Sequence, residues 1–244
     1  MRRKKVLITG AAGRIGSTLW AGLKDRYDLR LMFHRKMLPA EGGEEVVIGS
    51  VSDLDKMEDA VDGVDAVVHM AGFPSSRWPF EEVLDANIRG TYCVYEACKR
   101  KGVNRVVFAS TNHVTGNYEK DGIYTTPDMP VRPDSHYGVS KACGEAMGRY
   151  YSDRFGISVI CLRIGSFQPP EGLKERLKEG HTRILSSWLS HRDTVQLVWR
   201  GIEAEQVKFG IYYGISNNTR AYWDTQNARE ELGYAPEDNA EDHL

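Results

Sequence analysis

Two side chains that can move a proton, a phenol and an ammonium, lie four residues apart in Tyr137-Gly-Val-Ser-Lys141. A helix completes a turn about every 3.6 residues, so this spacing brings both side chains to one face. An ammonium held near a phenol favours the phenolate, which can accept a proton near neutral pH. The pair therefore predicts a catalytic tyrosine whose pKa is lowered by Lys141. The same spacing also occurs on amphipathic helices without a catalytic role, so the surrounding residues must decide.

A glycine-rich turn near the start of the chain supplies the first of that context. Residues 5–9, Lys-Val-Leu-Ile-Thr, form a short apolar run typical of a buried parallel strand. The turn of residues 10–16, Gly-Ala-Ala-Gly-Arg-Ile-Gly, follows directly, and apolar residues recur behind it at helical spacing. At such a strand-to-helix turn, backbone N–H groups and the helix dipole can meet a pyrophosphate; the alternative is an ordinary tight turn. The predicted dinucleotide contacts here are Gly10, Gly13, Arg14, Ile15 and Gly16.

Composition narrows the class of protein. The chain has 244 residues, 41% of them hydrophobic and 27% charged, enough for one large core with a small appendage. Its formal net charge of -2 gives no broad attraction to nucleic acid or to a membrane surface. The basic residues 1–5 precede only three apolar residues before Thr9, too few for a signal-peptide core or a membrane span. We therefore expect a cytoplasmic enzyme with no nucleic-acid and no membrane partner.

Cysteine and histidine spacing indicates neither disulfides nor a metal. Cys93, Cys98, Cys143 and Cys161 lack C-x-x-C spacing and the density of a disulfide scaffold, so we expect reduced core thiols. The seven histidines include no H-E-x-x-H or comparable ligand pair. A metal site is therefore not predicted.

Strand-like and helix-like segments alternate along the chain. Further strands are predicted over residues 29–33, 46–48, 66–71, 105–110 and 158–164, and helices over 54–61, 80–101 and 137–155. This alternation predicts an α/β fold with a doubly wound parallel sheet and ligands at the carboxyl ends of the strands. We expect residues 1–165 to form a dinucleotide-binding core. Residues 166–244 are expected to form a small substrate-covering region built on that core.

Polar groups fall where the predicted strands end. The run Ser110-Thr111-Asn112-His113 offers a hydroxyl to hold a reacting oxygen, and an amide and an imidazole to orient a polyhydroxylated substrate. Another strand exits through Ala71 and Gly72, small residues that could pass under a cofactor. Ser75 follows that exit, and Asn87 lies in the next predicted helix. Singly, such residues more often cap helices or close turns, but together they predict a site at this edge.

These motifs resemble the extended short-chain dehydrogenase/reductase superfamily and, within it, the uronate dehydrogenases. The superfamily resemblance depends on the glycine turn, Asn87, Thr111 and the Tyr137–Lys141 pair. The closer resemblance covers nearly the whole chain and depends on Phe108-Ala-Ser-Thr-Asn-His113, Leu162-Arg-Ile-Gly-Ser166, Arg183-Ile-Leu-Ser-Ser-Trp-Leu-Ser-His191, Tyr222-Trp-Asp224 and Leu232-Gly-Tyr-Ala-Pro236.

The resemblance implies a role for each matching residue. Tyr137 would be the base, with Lys141 lowering its pKa and binding the nicotinamide ribose, and Thr111 would stand beside the reacting oxygen. The implied reaction is oxidation of a cyclic hexuronate at C1 to an aldarolactone, by a homo-oligomer. The implied substrate contacts are Ser75, Thr111, Asn112, His113, Ser166 and Arg183. The implied cofactor contacts are Gly10, Gly13, Arg14, Ile15, Gly16, His34, Arg35, Ser50, Val51, Ala71, Gly72, Asn87, Tyr137, Lys141 and Ile164.

Arg183 matters most for the class of substrate, because a guanidinium can hold a carboxylate through two parallel hydrogen bonds. An exposed arginine with no ligand is the alternative, since many surface arginines contribute little beyond solubility.

Two departures from the family pattern concern the cofactor. An NAD-dependent relative would carry an acidic residue after the second strand to bind the adenosine ribose. This chain has Phe33-His34-Arg35-Lys36, which suits a 2′-phosphate better than a free hydroxyl unless these side chains are simply solvated. Ser50-Val51 stands where the family has Asp-Leu against adenine. The resemblance therefore implies NAD, whereas His34, Arg35 and Lys36 favour NADP use.

Other functions stay open on the sequence alone. A nucleotide-sugar epimerase or dehydratase shares the Tyr–Lys pair but usually needs a larger C-terminal domain. Dehydratases also need acidic residues after Thr111, where this chain has Asn112 and His113. A sugar-phosphate dehydrogenase is closer, because Arg183 and His191 could bind a phosphate. A cofactor-sensing regulatory protein would have no reason to keep Thr111, Tyr137 and Lys141 together, so this trio favours an enzyme.

Overall fold

A parallel sheet carries the elements that position the site. The computed structural model describes residues 2–40, 42–74 and 79–244. The strands of that part are β1 (Lys5–Thr9), β2 (Asp28–Phe33), β3 (Glu45–Ile48), β4 (Ala66–His69), β5 (Arg105–Thr111), β6 (Ser158–Ile164), β7 (Ser166–Phe167), β8 (Trp188–Leu189) and β9 (Phe209–Gly214). Seven of them form one sheet in the order β3-β2-β1-β4-β5-β6-β9, and β7 pairs with β8 separately.

Every pairing in the large sheet is parallel. From β1 the chain first builds outward to β2 and β3, then returns to place β4 on the other side of β1. This reversal is the topological switch point of a doubly wound sheet, and it confirms the predicted fold class. The crevice that such a reversal opens lies at the carboxyl ends of β1 and β4.

Helices cover both faces of the sheet. They are α1 (Arg14–Leu23), α2 (Leu54–Val61), α3 (Phe80–Val83), α4 (Gly90–Lys101), α5 (Gly116–Lys120), α6 (His136–Phe155), α7 (Pro170–Lys178), α8 (Ile184–Ser187), α9 (His191–Glu203) and α10 (Gln226–Leu232). A π-helical segment, Leu84–Arg89, joins α3 to α4, where the sequence predicts one regular helix over residues 80–101.

The central strands β1, β4, β5 and β6 are buried on both faces, so their side chains alternate between two cores. Val6 and Ile8 of β1 face one core with α1 and α9, whereas Leu7 faces the other with α2, α4 and α6. Both cores are aliphatic and aromatic, which explains the continuous apolar runs in the sequence. A smaller apolar cluster around Leu173 and Trp188 lies under α7 and α8.

The sheet is completed by a strand beyond residue 166 that the sequence interpretation did not predict. β9 pairs with β6 along its whole length, and Tyr212 and Tyr213 within it are buried. α9 packs against α1 and against β5. The region 166–244 therefore shares the large sheet with the first part of the chain, and the predicted division at residue 165 stays a prediction.

The described part of the chain shows the state of the cysteines, the grouping of possible metal ligands and the character of the helices. The four cysteines are unpaired, and Cys93, Cys98 and Cys161 are buried. No group of three metal-ligating side chains gathers within residues 2–40, 42–74 and 79–244. Over the same residues, no helix is both long and apolar enough to cross a bilayer.

Candidate active site

A cleft of about 660 Å³ opens at the carboxyl ends of β1, β4, β5 and β6. It brings together residues that are up to 173 positions apart in the sequence, from Gly10 to Arg183. The predicted site residues that line it are Gly10, Gly13, Arg14, Ile15, Gly16, Gly72, Thr111, Asn112, His113, Tyr137, Lys141, Ile164, Ser166 and Arg183. Ser75, a predicted substrate contact, lies outside the described residues.

The glycine turn forms one wall of the cleft. Gly10 has a left-handed backbone, with φ of 67°, and the Gly13 N–H donates to its carbonyl at 2.9 Å. A Cβ on Gly16 would lie 2.2 Å from the Gly10 carbonyl oxygen, so α1 can begin this close to the turn only with glycine there. The N-terminus of α1 and the bare turn therefore make a cradle of the kind that holds a dinucleotide pyrophosphate.

Arg14 joins this wall to the opposite one. Its Nη2 donates to the Phe167 carbonyl at 3.1 Å and to Gln168 Oε1 at 2.6 Å. The cleft is thus bridged from the first turn of α1 to the residues of β7.

Gly72 lies in the floor of the cleft, and Asn87 supports it from below. Asn87 is fully buried in the π-helical segment, accepts from the Phe73 N–H at 2.8 Å, and donates to Ser140 Oγ at 3.1 Å. A Cβ on Gly72, where φ is 146°, would lie 2.8 Å from Asn87 Oδ1 and 3.6 Å from Lys141 Nζ. Asn87 therefore lies beneath the floor and not on the cleft surface, and it holds the loop against the helix that carries Tyr137.

A buried histidine that sequence reasoning missed connects the same elements. The Ala71 N–H donates to Thr9 Oγ1, whose hydroxyl contacts His69 Nδ1 at 2.8 Å. His69 Nε2 contacts Thr91 Oγ1 at 3.2 Å, and Thr91 donates to the Asn87 carbonyl. Burial, and then the positive charge of Lys141, lower the pKa of His69 to about 3, so the ring is neutral.

The predicted pair, Tyr137 and Lys141, lies on the first turns of α6. Ser135 caps this helix, because its Oγ accepts from the Gly138 N–H at 3.2 Å. Both side chains line the cleft and are buried, and Lys141 Nζ lies 4.9 Å from the centre of the Phe108 ring. Burial lowers the pKa of Lys141 to about 8. The helix thus places both groups on one face, as the spacing predicts.

The expected lowering of the tyrosine pKa is not found. Burial raises the pKa of Tyr137 to about 12, opposed by a hydrogen bond with Thr111. Desolvation of the phenol outweighs the Thr111 hydrogen bond in this structure. The lowering of the tyrosine pKa by Lys141 stays a prediction for the enzyme with cofactor and substrate bound. Thr111, at the end of β5, does stand beside the phenol as predicted.

His113 and an unpredicted carboxylate form a second pair beside Tyr137. His113 Nδ1 lies 2.9 Å from both oxygens of Asp134, and its ring meets the Tyr137 ring edge-on with centres 5.8 Å apart. The carboxylate accepts from Nδ1–H, which leaves Nε2 as an acceptor for a hydroxyl. Asp134 lies 21 residues further along the chain, in a loop, so no local motif marks it.

Arg183 lines the cleft and has three hydrogen-bonded neighbours. Its Nε donates to Glu119 and, at 3.1 Å, to the Tyr222 hydroxyl, which itself donates to Glu119. In the amide orientation that satisfies its surroundings, Asn112 donates to the Ile164 carbonyl at 3.1 Å and accepts from Arg183 Nη2 at 3.2 Å. The guanidinium is therefore anchored in place. The sequence did not single out Glu119, and it marked Tyr222 only through the family resemblance, without a role at the site.

A buried ion pair fixes α6 against the sheet beneath the site. Arg163 of β6 donates from Nε and Nη2 to the two oxygens of Glu145, both at 2.9 Å. Ser110, next to Thr111, donates to the same carboxylate at 2.5 Å. Glu145 is one turn beyond Lys141, so this contact sets where the catalytic turn of the helix lies.

Three other predicted cofactor contacts, His34, Arg35 and Ser50, are not among the residues that line the cleft. His34, Arg35 and Lys36 follow β2 and are exposed. Ser50 lies at a separate hollow of about 390 Å³ with Arg89, beyond the end of β3.

Two other predicted cofactor contacts serve the protein interior. Val51 is buried in the core against Gly90 and does not line the cleft, so its contact with the cofactor stays a prediction. Ala71 does not line the cleft, and its N–H is used by Thr9.

Comparison with known proteins identifies the family. The model of the NAD dependent epimerase/dehydratase family matches residues 6–205. Uronate dehydrogenase from Pseudomonas syringae pv. tomato is 41% identical over 240 residues, covering 97% of this chain and 83% of that protein. NAD-dependent glucose-6-phosphate dehydrogenase from Haloferax volcanii is 39% identical, covering 96% of this chain and 94% of that protein.

A solved structure agrees over the same length. A variant of uronate dehydrogenase from Agrobacterium tumefaciens, complexed with NAD, has a TM-score of 0.88 and 37% identity, covering 98% of this chain and 86% of that one. The glycine cradle, the Tyr137–Lys141 pair and the doubly wound sheet are all present here. The chain belongs to the NAD-dependent epimerase/dehydratase family.

Proposed function

We propose that this chain is an NAD-dependent uronate dehydrogenase that oxidises the C1 hydroxyl of a cyclic hexuronate such as glucuronate or galacturonate to an aldarolactone. One observation carries the proposal: the anchored guanidinium of Arg183 lines the same cleft as Tyr137 and Thr111. A cation and a proton acceptor in one cleft suit a sugar that carries both an acid group and a reacting hydroxyl. The two uronate dehydrogenases named above support the same substrate class.

Each residue has a distinct task in this reaction. Arg183 and Asn112 bind the carboxylate, and His113, oriented by Asp134, accepts a hydrogen bond from a sugar hydroxyl. Thr111 holds the C1 oxygen while Tyr137 takes its proton. Because burial leaves the phenol protonated at neutral pH, the ammonium of Lys141 must favour the phenolate during turnover.

The cleft fits a dinucleotide on its own geometry. A Cβ at Gly16 would lie 2.2 Å from the Gly10 carbonyl oxygen, and one at Gly72 would lie 2.8 Å from Asn87 Oδ1. Only glycine permits this close packing, which leaves the turn and the floor without side chains where a phosphate-bearing ligand would lie. Residues 10–16 would hold its phosphates and Lys141 its ribose. When bound, oxidised nicotinamide accepts the hydride and adds a positive charge near the phenol.

A substrate panel tests the function. Initial rates with glucuronate, galacturonate, glucose and glucose 6-phosphate, each with NAD and with NADP, should show uronates as the best substrates. Arg183→Ala should lower kcat/KM for uronates by a factor of about 30 or more, the size of a lost charge-assisted pair, and affect glucose far less. Arg192→Ala, which removes an exposed arginine paired with Asp238, is the matched control. Equal losses on glucose and glucuronate would make Arg183 a structural residue.

A sugar-phosphate dehydrogenase is a second candidate, favoured by a basic hollow beside the cleft. Arg176, His181 and Arg183 line this space of about 370 Å³ together with Ser166. The Haloferax relative acts on a sugar phosphate by its name. His191, the phosphate ligand considered from the sequence, instead stacks on Phe167 with ring centres 4.6 Å apart. Preference for glucose 6-phosphate in the panel would decide for this candidate.

Cofactor choice is a further part of the proposal. The family is NAD-dependent, yet no carboxylate follows β2 at residues 34–36 to bind the ribose diol or to repel a 2′-phosphate. His34, Arg35 and Lys36 are exposed there. We therefore propose measurable NADP use beside NAD.

Assembly and compartment complete the proposal. Tyr92 on α4 and Val139 and Tyr150 on α6 expose large apolar side chains on two packed helices. We infer that this helix face pairs with a second copy, which light scattering of the purified protein tests. The unpaired cysteines support a reducing compartment such as the cytoplasm.

A further inference from the structure

We propose that Glu119 sets the charge selectivity of the substrate site by sharing the guanidinium of Arg183. The inference deepens the proposed function and rests on it in one respect: it takes Arg183 to be the group that meets an anionic substituent. It adds a residue whose carboxylate opposes that anion.

The first support is how the guanidinium is used. Arginine has five N–H donors in a planar fork. Nε is taken by Glu119 and Tyr222, and one edge of Nη2 by Asn112. Across the described residues, Nη1 has no hydrogen-bond partner. The end of the fork formed by Nη1 and Nη2 is therefore left for a ligand in the cleft.

The second support is where Glu119 lies. Its side chain is 11% exposed, against 51% for Arg183, and it reaches the guanidinium from α5. Arg183 lines the cleft, whereas Glu119 is not one of its lining residues. Glu119 and Tyr222 line a neighbouring cavity of about 420 Å³, and Arg183 lines both spaces. The carboxylate thus stays behind the guanidinium and does not compete for the ligand's own position.

The third support is the balance of charge around Arg183. Asp134 is already paired with His113, and Arg176 lies near Glu179. Lys120 donates to Asn117 at 3.0 Å. Glu119 is therefore the carboxylate that directly offsets Arg183, and the pair together carries no net charge.

A consequence follows for the ligand. An anion that binds Nη1 and Nη2 of Arg183 is attracted by the guanidinium. It is also repelled by the mostly buried carboxylate of Glu119 behind that guanidinium. The repulsion grows with the ligand's charge, so it is absent for a neutral sugar, present for a uronate and largest for a phosphate dianion. Glu119 would thereby keep the site for weakly anionic or neutral sugars and against sugar phosphates.

Glu119→Gln tests this with three substrates that share one sugar ring and differ in the charge of the group at C6. Glutamine keeps the length and an oxygen that can accept from Nε, but removes the charge. We expect kcat/KM to stay unchanged for glucose, to rise about fivefold for glucuronate, and to rise about twenty-fivefold for glucose 6-phosphate at pH 7.5. The rise should fall as salt is added, because the added ions screen it.

Two control variants separate charge from position. Asp121→Asn removes a carboxylate two residues away that pairs with Arg132, and should leave all three values unchanged. Tyr222→Phe removes the hydroxyl that contacts Arg183 without a change of charge, and should act equally on the three substrates. Melting curves confirm that each variant is folded; if Glu119→Gln is not, Glu119→Ala should give the same ordering by charge.

Equal changes on all three substrates, or a loss confined to the anions, would overturn the proposal. Failure of the proposed function is a different result, in which the wild type oxidises glucose but no uronate. The grading by charge is then measured from the inhibition constants of glucuronate and glucose 6-phosphate against glucose. Inhibition unchanged by Glu119→Gln would overturn the role of Glu119 in that case too.

Discussion

Replacing Glu145 by glutamine should lower the free energy of unfolding of this protein far more than so small a chemical change suggests. Glu145 and Arg163 are 5% and 1% exposed, and the carboxylate accepts two hydrogen bonds from the guanidinium and one from Ser110. Glutamine offers one oxygen, so its NH₂ group would face a donor of Arg163. The guanidinium would also lose its counter-charge in a desolvated position.

The magnitude follows from these contacts. Removing one partner of a buried ion pair costs about 3 to 5 kcal/mol of unfolding free energy, because the other charge stays buried without compensation. For a chain of this length, about 2 to 4 °C of melting temperature goes with each kcal/mol. We therefore expect Glu145→Gln to lower the melting temperature by roughly 6 to 20 °C.

Urea unfolding followed by tryptophan fluorescence measures the loss. Asp153→Asn is the matched control on the same helix, because its pair with Arg149 is more than half exposed on both sides and should contribute under about 0.5 kcal/mol. Adding Arg163→Met to Glu145→Gln removes the unpaired cation and should restore part of the stability. A loss in Glu145→Gln no larger than in Asp153→Asn would refute this reasoning.

The remaining predictions concern turnover, pH and cofactor. Tyr137→Phe should abolish turnover while NADH titration by fluorescence shows near wild-type binding; normal turnover would remove Tyr137 as the base. Lys141→Ala should lower kcat and move its rise with pH upward, since the ammonium, present below a pKa of about 8, no longer favours the phenolate. Folding holds His69 neutral down to a pKa of about 3, whereas the unfolded chain protonates it below about pH 6.5, so the unfolded state binds more protons in that window and stability falls as the pH drops. His69→Gln should flatten this dependence in urea midpoints between those values, and an unchanged slope would contradict it. Arg35→Ala should raise KM for NADP much more than for NAD; strict NAD use in the wild type would show the cations after β2 to be solvated.

What the sequence could predict was set by local patterns. The glycine turn and the Tyr137–Lys141 pair are read from residues within one turn of each other, and both lie where expected. Glu119 and Arg183 are 64 residues apart, and only the packing of α5 near the start of α8 joins them. Asp134 and His69 were missed for the same reason.

Other differences between the sequence interpretation and the structure have physical causes as well. Val51 stands one residue from a polar loop, and its burial depends on Gly90, which belongs to another element. The tyrosine pKa was inferred from one neighbouring charge, whereas the dominant effect is desolvation by the whole fold. β9 follows a long helix and ends the sheet beside β6, a pairing that no local run of residues specifies.

The π-helical segment Leu84–Arg89 limits how the helical stretch from α3 to α4 can change in length. A π turn accommodates one more residue than an α turn, and each residue in a helix rotates its successors by about 100°. Deleting one residue from Leu84–Arg89 would restore regular bonding but turn Asn87 away from Phe73 and Ser140. Exposed positions such as Leu84 can vary in residue type. The number of residues between α3 and α4 cannot vary without moving Asn87 away from its place beneath Gly72.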